Sequence, residues 1–171
     1  RVMGQLKHPH ITAVFDMGVS GSVSYIVMEY VQGETLKAWL APPRTDPASV
    51  PQILSIIVMV ARALHYVHQR GILHGDIKPA NLMVTPQGTP KIMDFGVARR
   101  SQANQPAAWS LAGVNHVWGT PGYVAPEQFV ANAVDARADV FSLGVVAYEW
   151  LAGRKPFRGE SLEAILQAMR R

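Results

Sequence analysis

The hydrophobic positions at the start of the chain lie in two runs that are typical of strands. β-Branched and aromatic residues fill 11–17 and 23–31 around a turn of glycine and serine at 18–22, which predicts a β-hairpin. A short helix is expected near 35–40, and the prolines of 41–47 predict a loop after it. The chain is therefore expected to open with strands.

Helical spacing of apolar residues dominates much of the chain after this loop. A long helix is predicted over 51–70 with Gly71 as its stop, and another over 137–151 before Gly153. Ser161 is a candidate N-cap of a last amphipathic helix. The residues of the long helix that are expected to face the core recur at helical spacing: Ile53, Ile57, Val60, Leu64 and Val67.

Two short strands are expected between the long helices. Residues 82–84 and 91–93 are joined through a turn that contains proline and glycine, which predicts a second hairpin. Asn81 stands at one end of this hairpin and Asp94 at the other. We therefore expect the carboxamide and the carboxylate to converge at one rim.

Composition indicates a folded globular domain without a nucleic-acid partner. Of the 171 residues, 49% are hydrophobic and 16% are charged, which is enough apolar material for a sizeable core. The net charge of +4 is spread along the chain without a dense basic block. A solvated surface explains this charge better than nucleic-acid binding does.

Several classes of site are excluded or disfavoured. The chain has no cysteine, so disulfides and thiolate zinc sites are excluded. His65 and His68 lack a third clustered ligand, so a surface or supporting role is expected for them rather than metal binding. The longest apolar stretch, 53–60, is too short to span a bilayer. We expect a cytoplasmic location and no membrane contact within the chain, with any anchor outside it.

Two short motifs hold the polar residues that phosphoryl transfer needs. They read HGDIKPAN and DFG. The reaction requires positioning and compensation of charge on the phosphate oxygens, and Mg²⁺ prefers carboxylate and amide oxygens. Asn81 and Asp94 suit the metal ion. Asp76 would accept or orient the proton of the attacking hydroxyl. Lys78 would neutralise charge on the transferred phosphate.

The order of these motifs resembles that of the eukaryotic-like Ser/Thr protein kinases that are common in bacteria. Two further blocks support the resemblance, GTPGYVAPE at 119–127 and DVFSLG at 139–144. The resemblance implies an α+β, protein-kinase-like fold. It would have a mainly α-helical C-terminal lobe and the last strands of the N-terminal lobe.

The resemblance also implies a domain plan. Residues 1–171 would be a partial protein kinase domain, with 1–31 as the end of the small lobe and the hinge, and 32–171 as an incomplete large lobe. The glycine-rich loop, strand lysine and helix glutamate of the family would lie before the first residue. These residues alone are therefore expected to show no appreciable kinase activity and to expose apolar surface at both ends.

Site roles follow from the same resemblance. Asp76 would be the catalytic base and Lys78 the phosphate contact, while Asn81 and Asp94 would bind Mg²⁺. Asp139 would tie its side chain to backbone amides of the catalytic loop.

The resemblance places the adenine of ATP at the hinge. The site comprises Met28, the carbonyl of Glu29 and the backbone of Val31, with Met83 packed beneath the base. Residues 97–118 would form the activation loop.

The segment after that loop would dock the protein substrate, and it contains Thr120 and Glu127. Gly75 stands where the family usually has an arginine that pairs with a phosphorylated loop residue. We therefore hypothesise that the full-length enzyme does not depend on phosphorylation at Ser101 or Ser110 through this route.

The function implied is transfer of the ATP γ-phosphate to Ser or Thr hydroxyls of proteins. The protein itself is one expected substrate, and a homodimer is left open. Two alternatives remain: a pseudokinase that acts as a binding scaffold, and an aminoglycoside-type small-molecule kinase. The retained polar set argues against the scaffold. Lys78 and the segment 120–127 argue against the small-molecule kinase.

Overall fold

The computed structural model describes residues 6–41, 48–95, 99–100, 120–130 and 134–170. In chain order, the elements are β1 (Val14–Ser20), β2 (Val23–Met28), β3 (Glu34–Thr35), α1 (Leu36–Leu40), α2 (Val50–His68), β4 (Ile72–Leu73), a 3-10 helix (Pro79–Asn81), β5 (Leu82–Val84), β6 (Pro90–Ile92), β7 (Arg99–Arg100), α3 (Glu127–Val130), α4 (Ala136–Ala152) and α5 (Leu162–Met169). They fall into two compact units, residues 1–67 with 79–96, and residues 68–78 with 97–171. The predicted boundary between the lobes, after residue 31, does not coincide with the division into these two units. It stays a prediction.

The first unit begins with the predicted hairpin. β1 and β2 pair antiparallel, with a register shift between Val14 and Asp16. Large apolar side chains of the hairpin are exposed: Phe15, Met17, Val19, Val23, Tyr25, Ile26 and Val27. Exposed apolar surface was expected at this end of the chain.

A three-stranded antiparallel sheet comes next, in the order β3-β5-β6. The predicted second hairpin is confirmed, with its second strand at 90–92 rather than 91–93. Its turn contains Gly88 at a φ of 78°, a conformation that glycine adopts without a steric penalty. The adjoining helix α1 is capped by Thr35, whose hydroxyl accepts from the Ala38 N–H at 3.2 Å.

α2 is the predicted long helix, and it ends at His68, slightly before the expected position 70. Its buried residues are Ile53, Ile56, Val60, Ala63, Leu64 and Val67. The expectation for Ile57 was wrong, because this residue is only half-buried. Ile56 takes the core position instead, since Ile57 lies at the edge of the buried face.

α2 is also long and apolar enough to cross a membrane by length and composition alone, although 33% of its apolar window is buried in the structure. The apolar part of α2 is therefore longer than the stretch 53–60 that the sequence analysis considered. A core helix of a globular domain meets the same criteria. The expected lack of membrane contact stays a prediction.

The second unit contains the predicted helices α4 and α5. Asp135 caps α4 by accepting from the Arg137 N–H at 2.8 Å, and Gly153 ends the helix in a left-handed conformation. Ser161 caps α5 as expected, its hydroxyl accepting from the Ala164 N–H at 3.2 Å. β4 pairs antiparallel with β7.

Candidate active site

A buried carboxylate from α4 anchors the loop that carries Asp76. Asp139 accepts hydrogen bonds from the backbone N–H of His74 at 2.9 Å and of Gly75 at 2.8 Å. Its side chain is 1% exposed. The expected tie between Asp139 and the backbone of this loop is therefore confirmed.

His68, the last residue of α2, provides a third partner for the same carboxylate. Its Nε2 lies 2.7 Å from Oδ2 of Asp139. Burial raises the pKa of Asp139, but the hydrogen bonds from His68, Gly75 and His74 outweigh burial and hold that pKa below its usual value. An ionised carboxylate can only accept hydrogen bonds, so Nε2 of His68 must carry the hydrogen.

Asp76 and Lys78 form an ion pair in the second unit. The Lys78 Nζ lies 2.6 Å from Oδ2 of Asp76, and the side chains of Lys78 and Asp76 are 24% and 16% exposed. The Asp76 N–H donates to Nδ1 of His74 at 3.2 Å. The loop therefore presents a carboxylate and an ammonium together, close to the surface.

Gly75 occupies a position that favours glycine. Its φ is 77°, and a Cβ built there would meet no atom within 4 Å. The obstacle to a larger residue is therefore the left-handed backbone rather than a lack of space.

A glutamine connects this loop to the predicted substrate-docking segment. The side-chain amide of Gln128 donates to the Gly75 carbonyl at 3.4 Å, while its Oε1 accepts from the Ala125 N–H at 3.0 Å. Both backbone sides of Gly75 therefore have partners in the second unit, Asp139 at its N–H and Gln128 at its carbonyl.

The first unit holds the two predicted metal ligands. Asn81 ends the 3-10 helix and is 5% exposed, and its carbonyl accepts from the Met93 N–H at 2.9 Å. Asp94 is the residue after Met93 and is exposed, with a φ of 56°. The β5–β6 hairpin thus brings the two residues to the same end of the sheet.

A left-handed conformation is uncommon for a residue other than glycine and is a feature of many functional sites. Among the described residues, no cluster of three or more histidine, aspartate or glutamate side chains could hold a metal ion. The role of Asn81 and Asp94 as Mg²⁺ ligands stays a prediction.

The predicted hinge is fixed by the side chain of Glu29. This carboxylate lies 2.6 Å from the Lys91 Nζ and accepts from the Ala13 N–H at 3.1 Å, while the Glu29 N–H donates to the Ala13 carbonyl at 2.8 Å. Burial raises the pKa of Glu29, but the bonds from Lys91 and Ala13 lower it overall. Met28 and Met83 are half-buried and Val31 is buried. Their contacts with adenine stay predictions.

The segment that contains Thr120 is tied to α4. The Thr120 carbonyl accepts from the Tyr123 N–H at 3.1 Å, and the Tyr123 hydroxyl donates to Glu149 at 2.5 Å. Burial and the bond to Glu149 raise the pKa of Tyr123, so the phenol stays protonated. Ser142 Oγ donates to the Tyr123 carbonyl at 2.7 Å. Glu127 is half-buried at the start of α3.

Part of the predicted activation loop lies outside the described residues. This includes Ser101 and Ser110, and the hypothesis about their phosphorylation therefore stays a prediction. The Asp76–Lys78 pair and the Asn81–Asp94 pair belong to different compact units. That all four side chains meet around one metal ion also stays a prediction.

Sequence reasoning missed three contacts of the site residues. His68 supports Asp139, Lys91 pairs with Glu29, and Gln128 contacts Gly75. Lys91 gives the clearest signal in the sequence, because it is a charged residue in a short apolar strand. His68 and Gln128 carry no such local signal.

Comparisons with known proteins agree with the motifs. The family model described as protein kinase domain matches residues 1–171. The chain is 44% identical to serine/threonine-protein kinase PknB of Mycobacterium leprae over 161 residues, which cover 91% of this chain and 25% of that protein. It is 39% identical to serine/threonine-protein kinase Pkn1 of Myxococcus xanthus over 172 residues, covering 98% of this chain and 24% of that protein.

A probable serine/threonine-protein kinase of Clostridium perfringens is 39% identical over 159 residues, which cover 93% of this chain and 22% of that protein. The chain thus spans about a quarter of the length of these curated relatives. The expected α+β, protein-kinase-like fold is confirmed by the family match. The chain belongs to the protein kinase domain family.

Proposed function

We propose that the protein containing this chain transfers the γ-phosphate of ATP to Ser and Thr hydroxyls of other proteins. The observation that carries the proposal is the Asp76–Lys78 pair, 2.6 Å apart, on a loop whose backbone is held by the buried Asp139. A fixed carboxylate beside a cation suits a reaction that needs positioning and charge compensation more than covalent chemistry. The protein kinase relatives support the same activity.

In the proposed reaction, the substrate hydroxyl oxygen bonds to the γ-phosphorus. The bond from that phosphorus to the oxygen shared with the β-phosphate breaks, and ADP leaves. The hydroxyl proton passes to the carboxylate of Asp76. Lys78 pairs with Asp76 and would contact the transferred phosphate when ATP is bound.

The residues available for Mg²⁺ fit that ion. Asn81 and Asp94 supply amide and carboxylate oxygens, which are hard ligands, and Asp94 is exposed. Their adjacent positions at one end of the β5–β6 hairpin support a shared role. When bound, Mg²⁺ compensates charge on the phosphate oxygens.

Adenine would bind at Met28, Glu29 and Val31, above Met83. The side chain of Glu29 is held by Lys91 and by the Ala13 N–H. These bonds would fix the backbone of the hinge before the nucleotide arrives. Glu29 would therefore orient its backbone carbonyl toward adenine at little entropic cost.

Protein substrates would dock on the segment that includes Thr120 and Glu127. The protein itself is proposed as one substrate, and a homodimer would allow phosphorylation between its two copies. We propose a cytoplasmic catalytic domain that contacts neither nucleic acid nor membrane through these residues. Any membrane anchor would lie elsewhere in the protein.

The test is Asp76→Asn in the full-length protein. We expect kcat for phosphate transfer to fall by roughly 10² to 10⁴, with equilibrium binding of ATP nearly unchanged. Asp16→Asn, the same change at an exposed strand residue, is the control. Near-normal turnover of the Asp76 variant would refute the assigned base. Absence of transfer by the unaltered protein would favour a binding scaffold.

A further inference from the structure

A lysine lies against the segment that is proposed to dock protein substrates. The Nζ of Lys155 is 4.4 Å from the centroid of the Tyr123 ring. A Cβ built on Gly122 would lie 3.7 Å from the Cδ of Lys155 and 3.9 Å from its Nζ. Lys155 follows α4 and its C-cap Gly153, and it is half-buried. A positive charge is thus held beside Gly122 and over the face of Tyr123.

The ring beneath this charge has a fixed position. Tyr123 is buried, its hydroxyl donates to Glu149 and its carbonyl accepts from the Ser142 hydroxyl, so α4 holds it at both ends. Burial and Glu149 raise the pKa of Tyr123, so the phenol is neutral and Lys155 is attracted to the face of the ring. This contact restrains a long side chain that would otherwise sample many rotamers.

No carboxylate in the described part of the chain forms an ion pair with Lys155. The ion pairs there join other residues, and the Glu149 carboxylate accepts from the Tyr123 hydroxyl. The neighbouring Arg154 and Arg158 are exposed and add positive charge. A half-buried ammonium without a counter-ion has lost part of its hydration, so an anionic group on a ligand would stabilise it. The local charge therefore favours an acidic ligand group and disfavours a basic one.

Gly122 leaves this charge accessible from the docking segment. A Cβ at this position would be in van der Waals contact with the Lys155 side chain, so a larger residue would cover the ammonium. The φ of 93° also favours glycine here. The backbone of the segment therefore leaves room for a substrate side chain next to Nζ of Lys155.

We propose that Lys155 determines substrate specificity by pairing with an acidic side chain, Asp or Glu, that lies close to the phosphorylated Ser or Thr of a protein substrate. The inference rests on the proposed kinase function and adds a chemical feature of the substrate. The substrate carboxylate would lie over Gly122 and replace water at the ammonium. A basic side chain at the same substrate position would be repelled.

The test uses the full-length protein and peptides with one Ser in a background of Ala. Asp or Lys replaces one flanking residue at a time, and the ratio of kcat/KM for the Asp peptide to that for the Lys peptide is measured at each position. Equilibrium binding of the same peptides, carrying a fluorescent label, gives a second ratio that needs no turnover.

Three substitutions at Lys155 are compared. Lys155→Glu reverses the charge, Lys155→Met removes the charge at similar length, and Lys155→Arg keeps the charge. Arg154→Glu is the matched control, because Arg154 is the adjacent basic residue and is exposed. It changes the net charge as much as Lys155→Glu does.

We expect the unaltered protein to prefer the Asp peptide by roughly 10-fold at one or more flanking positions. Lys155→Met should reduce this preference to about 2-fold or less, and Lys155→Glu should invert it. Lys155→Arg and Arg154→Glu should keep most of it. The dissociation constants of the labelled peptides should change in the same directions.

Three results would overturn the proposal. The first is equal use of the Asp and Lys peptides by the unaltered protein at every flanking position. The second is a preference for Asp that survives Lys155→Glu, and the third is an equal loss of preference in Arg154→Glu. If the unaltered protein transfers no phosphate, the proposed function fails, and the dissociation constants of the labelled peptides still decide whether Lys155 selects an acidic side chain.

Discussion

The loop that carries Asp76 and the hairpin that carries Asn81 and Asp94 are held in different ways. The loop depends on one buried carboxylate, Asp139, which binds two loop amides from 64 and 65 residues away in sequence. The β5–β6 hairpin is held by antiparallel backbone pairing over a few residues. One region is thus fixed by a side chain and the other by its own main chain.

This difference teaches where the domain is sensitive. A backbone ladder survives most changes of side chain, because every residue except proline offers the same donor and acceptor. A loop fixed by a carboxylate fails when that carboxylate is removed or protonated. Mutation and pH should therefore affect the two regions unequally.

The largest expected difference is in the free energy of unfolding lost when the carboxylate of Asp139 or that of Glu29 is removed. Asp139→Ala leaves buried donors without an acceptor and should lower the free energy of unfolding by about 3–5 kcal/mol. Glu29→Ala removes a pair whose carboxylate is 31% exposed, and it should cost about 0–1 kcal/mol. Urea unfolding measured by circular dichroism gives both values. Equal losses would show that Asp139 is not the main support of its region.

Lowering the pH should destabilise the protein through Asp139, as removal of its carboxylate does. The pKa of Asp139 is lowered in the folded protein, because the bonds from His68 and the loop amides outweigh the effect of burial. Its contribution is therefore present above the unfolded-state value of about 3.9 and is lost as pH falls through the folded value.

The unaltered protein should therefore lose stability more steeply than Asp139→Asn below about pH 4. The measurement is the free energy of unfolding as a function of pH. Parallel curves for the two proteins would contradict the assigned ionisation.

Two glycines with similar backbone angles offer a closer comparison. Gly75 lies at a φ of 77° and Gly88 at 78°, and an added Cβ meets nothing within 4 Å at either position. Alanine at either site should cost about 1–2 kcal/mol through left-handed strain. Only Gly75→Ala should also lower kcat, since Asp76 is the next residue. Thermal unfolding and turnover of the full-length variants separate the effects, and an equal loss of kcat would contradict the difference.

The smallest effect is expected at the helix caps. Ser161→Ala removes the bond to the Ala164 N–H, and Thr35→Ala removes the bond to the Ala38 N–H. Each should cost about 1 kcal/mol, with no change in kcat. Ser161→Asn, which can still cap the helix, should restore stability. A loss of turnover in either alanine variant would show that the caps also affect the site.

Local patterns predicted most of the described fold. Both hairpins, α1, α2, α4 and α5 were expected, and their ends differ from the predicted bounds by a few residues. Ile57 was misplaced because its position lies at the edge of the buried face of α2, where helical spacing alone does not separate it from Ile56. The Asp76, Lys78, Asn81 and Asp94 motifs were readable because their residue types and order are specific.

The sequence by itself determined the family, the candidate chemistry and the local elements, since these depend on residue types and spacing among near neighbours. Only the tertiary structure decided which side chains support the site. His68 meets Asp139 across 71 residues, and Lys91 meets Glu29 across 62. Such pairs form because packing of whole elements brings distant positions together, and no periodicity along the chain records that packing.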